Sequence, residues 1–267
     1  MMALKSHGVE DYSRFAADFI RRSGEMALSY YGKGKAHVKF DDGLITTAEL
    51  RLAELFREEL HASFPEHQVF QNNPVSEEYT HDEERYLWIY DPLDGVANFQ
   101  AGIPIWGISL ALFDNFWPIL GMFYMPATDD LFYARAGQKA FRGDEEIHIS
   151  PQENINDETL LLTYSRFHQH YIPAFPGKIR NLGCTAAHIC YVAMGRAEAT
   201  VIANESYEDL AAAWIITEAS GGKFYKMDGS EFFLGDYLSG QKNDAHLLVS
   251  SPNTCTQISG CLERISE

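Results

Sequence analysis

The first part of the chain has the spacing of apolar residues that is typical of amphipathic helices. Between residues 11 and 30, apolar side chains recur every three or four positions, which predicts a helix that ends before Gly32. A second helix is predicted to begin at Thr46, where Glu49 would complete a capping box. The side chains that this second helix is expected to bury are Leu52, Leu55, Phe56 and Leu60. Two amphipathic helices are therefore predicted before residue 65.

From residue 86 onward the pattern changes to short apolar runs bounded by Pro, Gly, Asp and Asn, which is typical of β-strands. An antiparallel meander is predicted from the runs at 86–90, 105–113, 118–124 and 131–134. Farther along, strands alternate with helices. The predicted strands are 160–163, 199–203 and 246–250, and the predicted helices are 185–194 and 208–219. That order predicts a mixed sheet covered by helices.

The two patterns indicate two packed halves rather than two tethered domains. The sequence contains no internal repeat, low-complexity tract or obvious linker. We expect an N-terminal α+β half at 1–150 and a C-terminal α/β half at 151–267, which meet near 145–157. The predicted fold class is α+β.

Composition and charge exclude several classes of protein. The chain has 267 residues, 46% of them hydrophobic, which is ample for a well-packed core. Its formal net charge of −17, from 38 acidic and 21 basic residues, would repel a nucleic-acid backbone. No apolar stretch is long enough for a signal peptide or membrane anchor. We therefore expect a cytoplasmic protein that binds neither nucleic acid nor a membrane.

A short segment near residue 90 carries the clearest candidate chemistry. An apolar run ends in two carboxylates, Asp91 and Asp94, three positions apart. Pro92 fixes one backbone torsion between them, and the glycine after Asp94 permits a conformation that a side chain would obstruct. The two carboxylates and the Leu93 carbonyl could share one hard cation. A solvated Asp-Pro-x-Asp-Gly turn explains the same residues equally well, because turns are rich in them.

A second acidic position lies at the start of a predicted helix. Asp209 follows Glu208 and precedes a run of apolar residues, so it would lie in the first turn of that helix. A carboxylate there is stabilised by the helix dipole. Taken alone, Asp209 is therefore better explained as a cap than as a metal ligand.

Together, these segments resemble the inositol monophosphatase family, whose superfamily comprises Mg²⁺-dependent, lithium-sensitive sugar-phosphate phosphatases. The resemblance rests on four blocks in family order: WIYDPLDGVANFQAGIP (88–104), FYMPATDDLFYARAGQKAF (123–141), GCTAAHICYVAMGRAEA (183–199) and YEDLAAAWIITEASGG (207–222). The first and last blocks are similar to the two signatures of the family. The resemblance covers nearly the whole chain.

The resemblance implies a layered αβαβα sandwich that hydrolyses a small sugar or polyol phosphate, such as inositol monophosphate, with an activated water. It also implies a homodimer and Mg²⁺ as cofactor, with two or three ions per site and Mn²⁺ as a substitute. Carried over by position, Asp91 bridges two metals, the Leu93 carbonyl binds one of them, and Asp94 and Asp209 hold the other. The substrate contacts that the resemblance implies are Gly95, Val96, Gly183, Cys184, Thr185 and Asp209.

Two positions depart from the family's water-orienting dyad. The family usually has threonine after the Asp-Gly pair and aspartate at the start of the second helix, whereas this chain has Val96 and Glu49. Valine has the shape of threonine but no hydroxyl, so it cannot hydrogen-bond to a water. Glu49 is therefore a candidate catalytic residue in an altered dyad. A second hypothesis stays open, namely a catalytically weakened paralogue that binds metal or phosphate or has a regulatory role.

The glutamate that the family contributes to the metal site can be placed in two registers. An ungapped comparison places Asn72 there, whereas Ser76-Glu77-Glu78 matches only after an insertion of about five residues. Glu77 would be a catalytic metal ligand. Asn72 would lack the negative charge, could not act as a base and would bind the first metal more weakly. The sequence leaves both registers open.

Other candidates are weaker. His188 lies on a predicted helix in an Ala-rich context, where a packed or surface histidine is commoner than a base. Asn98 and Phe99 match the signature and are interpreted as supports of the turn. The cysteines show no zinc-like CxxC spacing and no activating partner, so reduced, unreactive thiols are expected. They are Cys184, Cys190, Cys255 and Cys261.

Overall fold

The computed structural model describes residues 8–33, 47–70, 86–115, 117–203, 205–234 and 246–265. Its helices are α1 (Val9–Leu28), α2 (Thr47–Ser63), α3 (Val96–Ala101), α4 (Phe167–His170), α5 (Thr185–Ala193), α6 (Tyr207–Ser220) and α7 (Cys255–Gly260). The two N-terminal helices are confirmed as α1 and α2. Thr46, the predicted cap of α2, lies outside the described residues.

The first sheet follows the order of the chain. Its strands are β1 (Gln68–Val69), β2 (Tyr86–Asp94), β3 (Gly107–Asp114), β4 (Trp117–Met125), β5 (Asp130–Arg135), β6 (Ala140–Arg142) and β7 (Glu145–Ile147). β1 pairs with β2 in parallel, and each later neighbour pairs antiparallel. The predicted meander is thus confirmed as β2 to β5.

The remaining strands form a mixed sheet and a two-stranded ribbon. They are β8 (Leu160–Thr163), β9 (Tyr171–Pro173), β10 (Lys178–Arg180), β11 (Ala199–Ala203), β12 (Lys223–Lys226), β13 (His246–Ser250) and β14 (Leu262–Arg264). The sheet has the order β10-β8-β11-β13-β12, in which the first three strands are parallel and β13 is antiparallel to both neighbours. β9 and β14 form the ribbon. The predicted mixed sheet is confirmed.

Successive side chains of the central strands face different hydrophobic cores, so each sheet lies between two layers. On β2, Trp88 packs under α1 and α2, whereas Ile89 faces the opposite core, which contains α5 and α6. On β13, Leu247 faces that same central core, and Leu248 faces a third core that α7 covers. Two sheets and three layers of helix therefore stack as αβαβα. The fold class predicted from the sequence is confirmed.

Helix α6 packs closely against the first sheet. Its buried residues include Ala211, Ala212 and Ala213, and it is buried on several sides. A Cβ at Gly121 of β4 would lie 2.7 Å from the Ala212 carbonyl oxygen. The helix therefore packs directly on Gly121, where the backbone of Ala212 and the Cβ of Ile215 are the nearest atoms. This contact sets the distance between α6 and the first sheet, and therefore the position of Asp209 in the first turn of α6.

The predicted division at residue 150 stays a prediction, since both sheets pack on the shared core around α5 and α6. In the part of the chain that the structure describes, no helix combines the length and the apolar character needed to cross a bilayer.

We expect Gly121→Ala to destabilise the protein. The added methyl group would overlap the Ala212 carbonyl, and such overpacking costs about 1–3 kcal/mol of the free energy of unfolding. Urea unfolding measures the change. Gly260→Ala is the control, because a Cβ there meets no atom within 4 Å. Equal stability of Gly121→Ala and wild type would contradict the close contact of α6 with β4.

Candidate active site

Strand β2 delivers the first candidate carboxylate to the layer between the sheets. Side chains alternate along a strand, and Ile89 lies in the central core. Asp91, two residues on, therefore faces the same layer, and its side chain is buried. The ladder with β3 becomes irregular between Asp91 and Asp94. The strand ends there, and the Asp94 carboxylate reaches the start of α5.

Gly95 makes this strand end possible. Its φ of 84° lies in the left-handed region, which residues with a side chain rarely adopt. A Cβ at this position would lie 3.0 Å from both the Ile105 carbonyl oxygen and the Cys184 Cβ. The turn therefore packs directly against the segment that precedes α5. Val96 follows as the first residue of α3.

Asp91 is buried among other carboxylates. Its Oδ1 accepts a hydrogen bond of 2.9 Å from the Leu93 backbone N–H, while Oδ2 is buried without a hydrogen-bond partner. Burial raises the pKa of Asp91 well above its usual value, and the negative charges of Asp209, Asp94 and Glu49 raise it further. The structure therefore brings these four predicted acidic residues into one electrostatic cluster.

Asp94 accepts hydrogen bonds from the first turn of α5. The Ala186 N–H donates at 2.6 Å, the Thr185 N–H at 3.3 Å and the Cys184 thiol at 3.2 Å. Burial, followed by the charge of Asp209, raises the pKa of Asp94 to about 6. Because an anion at a helix N-terminus is stabilised by the helix dipole, α5 partly compensates for this buried charge.

Asp209 completes the capping box of α6, in which Ser206 is the N-cap. The Ser206 N–H donates to Asp209 Oδ2 at 2.6 Å, and the Asp209 N–H donates to Ser206 Oγ at 3.4 Å. The capping interpretation is confirmed. It does not exclude a second role, because the Asp209 charge also raises the pKa of Asp91, Asp94 and Glu205. One carboxylate thus both caps a helix and faces the acidic cluster.

Glu205 is a member of the cluster that sequence reasoning missed. It lies between β11 and α6, and its Oε1 accepts a hydrogen bond of 2.9 Å from the Thr185 hydroxyl. Burial raises the pKa of Glu205 well above its usual value, followed by the charges of Asp209 and Asp94. The available signal was its place four residues before Asp209 and two residues after the end of a buried strand.

The two altered dyad positions lie on different helices. Glu49 is half-buried in the first turn of α2, and its charge acts on Asp91. Val96 is partly buried at the start of α3 and packs against the core under α1 and α2. Valine contributes no hydrogen-bonding group at that position.

Asn98 connects the turn after β2 to the segment before α5. Its Nδ2 donates to the carbonyl oxygens of Ile105 and Leu182, both at 2.6 Å. Gly183 has a φ of 79°, and a Cβ there would lie 2.9 Å from the Asn98 side-chain amide. Asn98 thus holds Gly183 and Cys184 against the turn, which confirms its interpretation as a support. Phe99 packs edge-on against Trp106.

His188 holds the same segment from the other side. Its Nε2 accepts a hydrogen bond of 2.8 Å from the Leu182 N–H. The side chain is buried, and burial lowers the pKa of His188 to about 4. The expectation of a packed histidine is confirmed. The four cysteines are free thiols, and burial raises the pKa of Cys184 well above its usual value.

The glutamate register stays open, because Asn72 and Glu77 both lie outside the described residues. Among the residues that are described, no three His, Cys, Asp or Glu side chains are arranged to hold one metal ion. Asp94 is directed to α5 and Asp209 to Ser206. The metal ligand set therefore stays a prediction.

The donor chemistry nevertheless fits a divalent cation. The candidate ligands are all oxygen atoms, which Mg²⁺ prefers. Asp91 Oδ2 is buried without a hydrogen-bond partner, and the neighbouring charges that act on Asp91 are all negative. A cation would satisfy that oxygen and relieve the repulsion.

The comparisons with known proteins cover nearly the whole chain. The protein named "Fructose-1,6-bisphosphatase/inositol-1-monophosphatase" from Thermotoga maritima is 29% identical over 225 residues, which cover 81% of this chain and 85% of that protein. A histidinol-phosphatase from Chlorobaculum parvum is 28% identical over 228 residues, covering 82% and 86%. The solved structure of a Thermotoga maritima IMPase superposes with a TM-score of 0.76 at 25% identity, covering 94% of this chain and 96% of that one.

The sequence model of the inositol monophosphatase family matches residues 9–251. That range contains all the acidic residues of the cluster around Asp91 and the strands and helices that carry them. The chain belongs to the inositol monophosphatase family.

Proposed function

We propose that this protein is a Mg²⁺-dependent phosphate monoester hydrolase that acts on a small sugar or polyol phosphate such as inositol monophosphate. The observation that carries the proposal is the buried acidic cluster around Asp91 in a member of this family. Phosphate monoesters are anions, so an acidic cluster can bind one only when cations reverse the local charge. The proposal therefore unites a metal site and an anionic substrate in one pocket.

The proposed ligands are the oxygen atoms already described. Asp91, the Leu93 carbonyl, Asp94 and Asp209 would hold two or three Mg²⁺ ions, for which Mn²⁺ would substitute, and Glu77 would add a further carboxylate. Bound ions would neutralise the phosphate, stabilise the leaving oxygen and acidify a water molecule. Oxygen-only donors and the unpaired Asp91 Oδ2 support this assignment.

The chain's own backbone would position the substrate. Gly95, Val96, Gly183, Cys184 and Thr185 are the proposed substrate contacts, together with Asp209. Asn98 and His188 hold the segment from Leu182 to Cys184 through the backbone of Leu182. Asn98 donates to the Leu182 carbonyl oxygen, and His188 accepts from the Leu182 N–H. A segment fixed in this way loses little conformational freedom when a substrate binds, which favours affinity.

The position of Val96 supports a second candidate function, a catalytically weakened paralogue that binds metal or phosphate or has a regulatory role. Glu49 can accept a proton or a hydrogen bond, but Val96 offers no hydroxyl to orient the attacking water. Under this alternative the fold and the acidic cluster persist while turnover is slow. The two functions differ in rate rather than in architecture.

Family membership also motivates proposals beyond the site. We infer inhibition by lithium, a homodimer and a cytoplasmic location, each as the resemblance implies.

The first test is Mg²⁺-dependent phosphate release. We expect activity on inositol 1-phosphate in a panel with fructose 1,6-bisphosphate and 3′-phosphoadenosine 5′-phosphate. Asp91→Asn should lower kcat/KM by at least about 1,000-fold, because losing a carboxylate that would hold the Mg²⁺ ions removes several kcal/mol of transition-state stabilisation. Asp228→Asn is the matched control, since Asp228 lies in a turn after β12 and hydrogen-bonds to Ser230. If the folded wild type releases no phosphate from any of the three substrates, the result would favour the weakened paralogue.

Restoring the family's dyad tests the second candidate. Val96→Thr combined with Glu49→Asp should raise kcat by about 10–100-fold, because an oriented water and a positioned base contribute rate of this order or more. Val96→Ala is the control for altered packing, since it supplies no hydroxyl. No gain in kcat over wild type would count against a phosphatase impaired only at these two positions.

The buried His188 predicts a specific pH dependence of stability. Its folded-state pKa of about 4 lies below the ordinary value of 6.5, so the unfolded chain binds a proton first as the pH falls. The contribution of the neutral imidazole is complete above about pH 6.5 and is lost towards pH 4, by roughly 3 kcal/mol in total. His188→Gln keeps an acceptor for the Leu182 N–H but does not titrate.

The measurement is urea unfolding between pH 7 and pH 4.5. Wild type should lose stability relative to His188→Gln as the pH falls, because the other titratable groups are common to both proteins. His168→Gln, at an exposed position of α4, controls for the loss of a histidine. Parallel curves for wild type and His188→Gln would be inconsistent with a buried, neutral His188.

A further inference from the structure

Ser109 lies directly across the sheet from Asp91. The antiparallel ladder of β2 and β3 pairs these two residues, and residues paired in this way have Cβ atoms about 4.5–5.5 Å apart on the same face. Ala111, two residues along β3, belongs to the central core together with Ile89 of β2. Ser109 therefore faces the acidic cluster from the middle of the sheet, beside the carboxylate that the proposed metal site depends on.

The two side chains carry complementary unpaired atoms. Ser109 is 1% exposed, and its hydroxyl has no hydrogen-bond partner. Asp91 Oδ2 is likewise buried and unpaired. On its other side, Ser109 is paired with Phe123 of β4, whose side chain offers no acceptor. A buried polar atom left unpaired is costly, so a hydroxyl donor and a carboxylate acceptor on neighbouring strands form a natural pair.

We propose that Ser109 is a positioning residue for Asp91, donating a hydrogen bond from its hydroxyl to Asp91 Oδ2 in the metal-loaded protein. The proposal rests on the function proposed above. Leu93 N–H already holds Oδ1, so the serine would fix the second oxygen and with it the orientation of the carboxylate. Each carboxylate oxygen has two lone pairs, which leaves Oδ2 able to bind a cation as well.

In this proposal, rotation about the Ser109 χ1 bond between staggered rotamers would bring the hydroxyl to Asp91 Oδ2. The alternative is that Ser109 merely fills space between Asp91 and Phe123. The two roles predict different results for Ser109→Ala, which removes the hydroxyl and almost no volume. A filler can be replaced without loss of metal affinity, whereas a positioning donor cannot.

Metal binding tests the proposal without measuring turnover. Calorimetric titration of Mg²⁺ into metal-free protein should give a Kd about 10–100-fold weaker for Ser109→Ala, as is typical when a hydrogen-bond partner of a metal ligand is removed. Ser109→Cys, which keeps a weaker donor, should be intermediate. Ser220→Ala is the matched control, since this buried hydroxyl of α6 donates to the Thr217 carbonyl instead. It should bind Mg²⁺ like wild type.

Stability without metal separates positioning from a structural role. In chelator, Ser109→Ala should unfold in urea at the same or a higher midpoint than wild type, because an unpaired buried hydroxyl has been removed. Loss of stability in chelator would overturn the proposal and assign Ser109 to packing. Wild-type Mg²⁺ affinity in Ser109→Ala would also overturn it.

Asp91→Asn separates this inference from the function on which it rests. If Asp91→Asn loses Mg²⁺ binding while Ser109→Ala keeps it, only the role of Ser109 fails. If Asp91→Asn and wild type bind Mg²⁺ equally, or neither binds it, the proposed metal site fails and the role of Ser109 fails with it.

Discussion

Repulsion among buried carboxylates is the constraint on which the rest of this structure depends. Asp91 is buried, and Asp94, Glu205 and Asp209 are partly buried. Burial raises the pKa of Asp91, Asp94 and Glu205, and the negative charge of Asp209 raises it further. Burying like charges is costly unless partners compensate for them. The protein supplies backbone N–H groups, at Leu93, in the first turn of α5 and at Ser206. These groups lower the cost, while the Asp91 Oδ2 atom stays buried without a hydrogen-bond partner.

Much of the fold and part of the site could be predicted from the sequence, because both rest on local patterns. Alternating and helical spacing of apolar residues predicted the meander and the elements α5, β11, α6 and β13 with small errors at the ends, whereas β10 and β12 were not predicted. The turn after β2 could be predicted because Pro92 fixes one backbone torsion and Gly95 permits a left-handed one, both within a few residues of the two carboxylates. The capping role of Asp209 could be predicted because capping is a local interaction, here with a residue three positions away.

The rest could not be predicted, because it depends on contacts between distant segments. Glu205 joins the cluster through the Thr185 hydroxyl, twenty residues away, and no short motif marks it. Ser109 faces Asp91 only because of the register between β2 and β3, which apolar spacing alone does not give. Asn72 and Glu77 compete for one role in a segment outside the described residues, so their register stays a prediction.

The hydrogen bonds of Asp94 make the site and α5 a single cooperative unit. Its carboxylate holds the Thr185 and Ala186 N–H groups, so the first turn of α5 cannot fray without leaving a buried charge uncompensated. Local opening of this turn would thus release a proposed metal ligand at the same moment. Amide hydrogen exchange at two backbone positions would therefore report on the integrity of the whole acidic cluster, although neither position belongs to an acidic residue.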